Sequence, residues 1–310
     1  MSDIPYPRDL IGYGPTPPHA GWPDGARLCL SIVISYEEGG ETSVLHGDDR
    51  SETVLAEVAG LAPVIGARDV NTESIYEYGS RAGYWRLLRV LHARRMRATV
   101  YAVTMALERH PGVARAAMQA GFELVAHGHR WIDYANVPEA DERADIATAI
   151  DVIRRLTGHR PVGWYTGRPS VNTRRLLVEE GGFRYDSDSY ADDLPYWDRS
   201  LGRPHLVIPH QFDTNDSKLV HTNGFPNGGA WEAYLRDSFD MLYAEGAEYP
   251  RMMTVSLHPR IAGRPGRALA FARFLDYVAA HPHVWVATRK EIAEHWIATH
   301  PPQDLDVSPT

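Results

Sequence analysis

Glu37 and Glu38 stand side by side directly after the most apolar stretch of the chain, Leu28-Cys29-Leu30-Ser31-Ile32-Val33-Ile34-Ser35. One carboxylate of such a pair can hold a cation while its neighbour handles protons; the plain alternative is a solvated turn. Two further strand-end motifs carry histidine. One is Ala126-His127-Gly128-His129-Arg130-Trp131, and the other is Ser256-Leu257-His258-Pro259. Each alone is ordinary. On one rim of a parallel barrel, a base, an acid and a candidate metal ligand would converge from distant positions, and strand ends on that rim are where such folds place catalysis. Asp186, Asp188 and Asp192 lie in an acidic, aromatic stretch, Tyr185 to Trp197, suited to orienting a histidine or binding a polar substrate, or to forming an acidic surface loop. Arg168, ending Trp164-Tyr165-Thr166-Gly167-Arg168, suits a substrate carbonyl or carboxylate, or a surface ion pair. Tyr76 to Arg81 reads as a turn before a helix, with no decisive chemistry.

The elements that must position these groups are legible as alternating patterns. The β-branched run at 28–35 reads as a buried strand. Further strands are expected at 97–103, 122–126, 161–165, 205–209, 252–257 and 284–287. Helical patterns lie near 81–95, 111–120, 138–157, 172–180, 230–245, 267–280 and 289–298. Strand–helix alternation implies an α/β fold with a parallel sheet, and about seven such units suggest a closed or nearly closed barrel. Residues 1–26, rich in Pro and Gly, are expected to form an extended N-terminal arm, 27–300 a single (β/α) barrel domain, and 301–310 a frayed polar tail.

Composition narrows the partners. The 310-residue chain is 44% hydrophobic and can bury a large core. A net charge of −8 without a long basic run argues against nucleic acid and anionic membranes. No apolar run reaches the roughly 18 residues of a membrane span. The single cysteine, Cys29, sits inside the apolar run, reads as a small core residue, and fits a reducing cytoplasm. The N-terminus lacks a charged-then-apolar signal pattern, which weighs against cell-wall substrates. Soluble enzymes are commonly homo-oligomers, and the aromatic residues Trp22, Trp231 and Tyr234 are suited to covering the core or meeting a neighbour.

Taken together, the motifs resemble the polysaccharide deacetylase family, also called NodB-homology or carbohydrate esterase 4. Ser35-Tyr36-Glu37-Glu38-Gly39 stands where that family has Thr-Phe-Asp-Asp-Gly. His127 begins its His-Ser/Thr-x-x-His motif, with Trp131 at the second histidine, and Leu257-His258 matches Leu-x-His. Longer strings resemble the allantoinase-like and cyclic imide hydrolase branch: Tyr6 to Gly14, Tyr36 to Glu41 with Ser43 to Asp48, Glu77 to Arg81, Gly163 to Arg168 with Asn172 to Arg175, and Tyr185 to Asp188 with Asp192 to Trp197. The resemblance implies a distorted, TIM-like (β/α)7-type barrel, hydrolysis of non-peptide C–N bonds, and homo-oligomers. It gives Glu37 the place of the general base, Glu38 that of a metal carboxylate, His127 that of a metal histidine and His258 that of the general acid.

Two departures strike the metal triad. Trp131 cannot bind a metal, and Glu for Asp lengthens the side chain by about 1.5 Å, where metal–ligand distances tolerate only about 0.2 Å. His129 can join His127 only if the chain between them stays extended. The site is therefore expected to work without a cofactor, a divalent cation such as zinc on Glu38 and His127 being the alternative. A buried carboxylate pair raises one pKa toward neutrality, which suits Glu37 or Glu38 to deprotonating water. His258 would protonate the departing nitrogen, and His127, His129, Trp131, Arg168, Asp188 and Asp192 are expected to line the substrate pocket. The expected substrate is a small cyclic amide: allantoin, a hydantoin or a cyclic imide. The rivals are a metal-dependent deacetylase of N-acetylated sugars and a catalytically silent binding protein.

Overall fold

The computed structural model describes residues 6–302. Residues 1–5 of the expected arm and 303–310 of the expected tail lie outside the described residues. The first strand, β1 (Leu28–Tyr36), is buried along its whole length. Successive side chains of a strand point to opposite faces, and β1 divides accordingly. Leu28, Leu30, Ile32, Ile34 and Tyr36 pack under the helices, whereas Cys29 and Val33 face the inside of the curled sheet.

Two helices follow, α1 (Val70–Tyr78) and α2 (Tyr84–Ala93), then β2 (Thr99–Ala102). Next come α3 (Thr104–Arg109), α4 (Pro111–Gln119), β3 (Glu123–Ala126), α5 (Glu139–Thr157) and β4 (Gly163–Trp164). The chain continues through α6 (Thr173–Glu180), β5 (Tyr185–Asp186), β6 (Tyr196–Asp198), β7 (His205–Val207) and α7 (Gly228–Glu245). It ends with β8 (Arg251–Leu257), α8 (Pro265–Ala279), β9 (Val284–Val286) and α9 (Arg289–Thr299). The sheet runs β6-β7-β5-β4-β3-β2-β1-β8, with β9 beside the first residues of β1. Its pairs are parallel except β6 with β7. This is a distorted (β/α)7-type barrel.

Among the described residues no strand pairing closes the barrel between β8 and β6, the two ends of the sheet. Side chains and loops satisfy the free edge of β8 instead, as a buried backbone requires. Gln211 accepts from the Thr254 N–H at 2.7 Å, Asp193 O accepts from the Met252 N–H at 3.1 Å, and Thr214 Oγ1 donates to Thr254 O at 2.5 Å. At the opposite end, Trp22 of the N-terminal segment is buried against Trp285, His295 and Trp296, and its Nε1 donates to Arg251 O.

The expected helix at 81–95 and turn at 76–81 need correction. α1, an element not read from the sequence, runs into α2 through a π-helical turn, Gly79–Gly83. Two glycines explain the wide turn: a Cβ on Gly79 would overlap the Glu38 carboxyl, and one on Gly83 would overlap the Pro259 carbonyl oxygen. Such π turns often mark functional sites; here the turn lays a helix directly on the second glutamate. In a free helix Gly→Ala stabilises by about 1 kcal/mol. At Gly83 the sign should reverse, Gly83→Ala costing about 1–3 kcal/mol from overpacking, read as a lower urea midpoint. Gly266→Ala, whose methyl meets nothing within 4 Å, should be nearly neutral; equal midpoints for the two variants would refute the close approach.

Candidate active site

The alternation that divides β1 continues past its end. Cys29, Val33 and then Glu37 fall on the interior face, while Ile34, Tyr36 and then Glu38 fall on the helix face. In β3 the interior series runs through Val125 to His127, and in β8 through Met252 and Thr254 to His258. Three strands thus deliver Glu37, His127 and His258 to one interior rim, each nearly fully buried. Glu37 Oε1 lies 3.2 Å from His127 Nε2 and 3.5 Å from His258 Nε2. The ring of His127 is fixed from behind: β4 stops at Trp164, and the freed carbonyl of Tyr165 accepts from His127 Nδ1 at 2.8 Å.

His258 is held by Asp216, a residue not singled out from the sequence. Asp216 Oδ1 accepts from His258 Nδ1 at 2.6 Å, and Oδ2 accepts from the N–H groups of His258 and Ala262. Arg260 was also missed. It is fully buried; its guanidinium donates to Glu37 Oε2 at 2.5 Å and reaches Glu38 Oε1 at 3.4 Å. It lies 4.2 Å from the Tyr76 ring centre and 5.1 Å from that of Trp131. A third missed residue is His210, buried against Tyr165 with Nε2 bonded to Ser256 Oγ and Nδ1 without a partner. The one available signal was position: Arg260 follows the strand-end His258 by two residues, but Asp216 lies in a polar stretch, Asp213 to Lys218, and nothing local states what either faces.

The two glutamates differ. Burial pushes the Glu38 carboxyl up, to about 7, against the pull of Arg260 and with the repulsion of Glu37 behind it. Burial would raise Glu37 as well, but Arg260, His258 and the His127 hydrogen bond hold it well below the usual carboxylate range. For His258, burial favours the neutral ring, and the charges of Asp216 and Glu37 overcome it, raising the group to about 9. At neutral pH the interior rim therefore holds a carboxylate, Glu37, opposite an imidazolium, His258. Burial and the positive charges of Arg289 and His258 keep His210 well below the ordinary histidine range, so its ring is neutral.

The other expected residues separate. Trp131 is buried, 4.1 Å from the Arg168 guanidinium, and its carbonyl accepts from Arg168. Arg168 borders a cavity of about 560 Å³ walled by Thr42, the Asp48–Val54 segment and Asp133. Asp188 accepts from the Thr166 and Gly167 N–H groups beside Tyr165, and burial together with Asp186 pushes it to about 7. Asp186 itself is spent on Arg174. His129 is not brought in: Gly128 at φ +76° breaks the extended path, and His129 pairs with Thr104 at the start of α3. Asp192 is turned to the N-terminal segment, its carboxylate beside Gly12.

The residues do not fit a metal. Glu38, the expected carboxylate ligand, spends Oε2 on the Glu37 N–H at 3.0 Å and faces Arg260 with Oε1. Trp131 offers no lone pair, and a buried guanidinium beside both glutamates repels a second cation. Among the described residues no three His, Cys, Asp or Glu side chains are grouped to hold one.

A parallel barrel whose strand ends gather a carboxylate, two histidines and a buried arginine holds the groups that acid–base hydrolysis needs. The polysaccharide deacetylase family profile matches residues 73–185. A curated Schizosaccharomyces pombe protein named for the polysaccharide deacetylases is 40% identical, with 95% of this chain and 98% of that protein covered. The chain belongs to the polysaccharide deacetylase family and is a hydrolase of non-peptide C–N bonds in its allantoinase-like branch. A Pseudomonas aeruginosa crystal structure named for the same deacetylases is 54% identical at a TM-score of 0.94, covering 96% of this chain and 100% of that one. The crystal structure of Puue allantoinase is 53% identical at a TM-score of 0.95, with the same coverage.

The Asp216–His258 bond has a pH signature. The folded pKa of His258 is raised from 6.5 to about 9, so its contribution to stability is complete below about pH 6.5 and is lost as pH rises through about 9. Asp216→Asn should lower the His258 titration seen by NMR by at least about one pH unit. Its stability deficit should shrink between pH 7 and 9.5; an unshifted titration would refute the pairing.

Proposed function

We propose that this protein opens the ring of a small cyclic amide (allantoin, a hydantoin or a cyclic imide) by water attack without a metal ion. The observation that carries this reading is the Glu37–His258 pair, a carboxylate and an imidazolium 3.5 Å apart on one buried rim. Glu37 takes a proton from water as its oxygen bonds to the ring carbonyl carbon. His258 donates its Nε2 proton to the ring nitrogen as the C–N bond breaks, leaving an acid and a freed N–H.

The two transfers support each other. The His258 charge is one of the causes that depress Glu37. As His258 gives up its proton that charge disappears, and Glu37, by then carrying the proton taken from water, holds it more firmly. Asp216 keeps the imidazole oriented throughout, and His127 steadies Glu37 Oε1 from the other side. Arg168, Asp188 and the neutral ring of His210 supply polar groups to hold ureide carbonyls and N–H groups. The Puue allantoinase structure, similar over nearly the whole chain, favours a ring amide over an N-acetyl sugar.

The same reading extends to the setting. The substrate is a small molecule; neither nucleic acid nor membrane is a partner, and among the described residues no helix is long and apolar enough to cross a membrane. Cys29, buried and free, accords with the cytoplasm. Trp22 and Trp231 are buried within their own chain, whereas Tyr234 is exposed and is the one of the three aromatic residues free to meet a second copy in a homo-oligomer.

A hydrolysis panel of allantoin, hydantoin, succinimide and N-acetylglucosamine oligomers, each with and without chelator, tests the reading. Turnover of a cyclic amide that survives chelation is expected. Turnover of the oligomers alone, or activity abolished by chelator and restored by zinc, would overturn it. Glu37→Gln and His258→Gln should each lower kcat/KM by about 10²–10⁴-fold, with the fold retained by circular dichroism.

A further inference from the structure

Arg260 touches more of the site than any mechanism of proton transfer requires. Beyond Glu37 and Glu38, its Nε donates to the carbonyl of Leu55 at 3.0 Å. Leu55 sits in the long segment between β1 and α1, at φ +53°, a left-handed conformation that a branched side chain adopts only when held there. Next to it, Val54 O accepts from Tyr76 Oη at 2.9 Å, and the ring of that tyrosine lies over the Arg260 guanidinium. Two residues on, Glu57 takes a bidentate bond from Arg267, at 2.8 and 3.0 Å. Segment 50–58 is thus tied by polar tethers to the β8–α8 turn through Arg260, to α8 through Arg267 and to α1 through Tyr76. Val54 and Val58 face solvent, and Ala56 is its only buried apolar side chain. The same segment, through Ser51 to Val54, walls the cavity beside Arg168.

We propose that Arg260 is the positioning residue of this site, a latch whose one guanidinium both aims the Glu37 carboxylate at the two histidines and holds segment 50–58 against the cavity. The fork geometry makes this possible. A guanidinium presents five donors in one rigid plane, so Nε reaches Leu55 while the terminal nitrogens reach the glutamates. A lysine ammonium is a single point and cannot span both. Docking of the segment and alignment of Glu37 are consequently one event, since release of Leu55 frees the guanidinium to rotate and Glu37 loses its fixed partner.

Hydrogen exchange and kinetics on the full-length protein decide this. In Arg260→Met and Arg260→Lys, exchange in peptides covering 50–58 should quicken by about tenfold or more while β1 and β8 stay protected. The kcat of both should fall by about 100-fold, the cost of ångström-scale misplacement, with KM changed far less, and guanidinium ion should partly restore kcat in Arg260→Gly. Tyr76→Phe, which keeps the ring and drops only the Val54 bond, should quicken the segment and lower kcat together. Wild-type exchange in 50–58 for Arg260→Met, wild-type kcat for Arg260→Lys, or a quickened segment with unchanged kcat in Tyr76→Phe would overturn the latch. Exchange quickened equally across the barrel would also overturn it, reducing Arg260 to a general support. The kinetic arm rests on the proposed ring hydrolysis. A wild-type protein inert across the panel would count against that reading, while the exchange arm would still decide the latch.

Discussion

Two carboxylates buried side by side are the constraint to which the rest of the site answers. Burial opposes ionisation of either, and each opposes the other. Arg260 resolves the conflict unevenly, 2.5 Å from Glu37 and 3.4 Å from Glu38. Glu37 is left charged and Glu38 is left near neutrality. A buried guanidinium is itself costly unless its donors are used, and Arg260 uses them on both glutamates and on Leu55, with Tyr76 and Trp131 alongside. Trp131 therefore belongs to the cation's surroundings, and the position that would hold a second metal histidine in the wider family is occupied by an aromatic face suited to a guanidinium.

Strand alternation decides which glutamate faces the histidines. Because successive residues leave a strand on opposite faces, Glu37 meets His127 and His258 while Glu38 turns to Gly79 and the π turn. The pair is thus divided in place as well as in charge: one member faces the two histidines at the rim, and the other packs under a helix and accepts the N–H of its neighbour. The open seam between β8 and the β6 end of the sheet also matters. It is bridged by Gln211 and Thr214, in the same segment that carries His210 and Asp216, so the loop that satisfies the sheet edge also delivers the carboxylate behind His258.

Much of the fold was legible from the chain. The strands at 28–36 and 251–257 and the helices at 139–157, 173–180, 228–245 and 289–299 lie close to their expected bounds, because their patterns are long and their ends carry turn or cap residues; the three-residue strand at 284–286 also falls within its expected bounds. Thr288 with Glu291 closes a capping box at the start of α9, for example. The helix at 70–78 was not legible, since its buried residues are Thr72 and Tyr76 and its stripe is polar. The short strands 185–186 and 196–198 leave too few residues for any period to show, whereas β4 at 163–164 lies within the expected strand at 161–165.

The sequence by itself determined the barrel, the family, and the convergence of Glu37, His127 and His258, since residue type and a strand-end position are local properties. Only the tertiary structure decided the division of labour between the glutamates, the removal of His129 and Asp192 from the rim, and the arrival of Arg260, Asp216 and His210. Those outcomes depend on burial and on charges brought from far along the chain. Arg260 is 223 residues from Glu37, and no local pattern carries the distance between them.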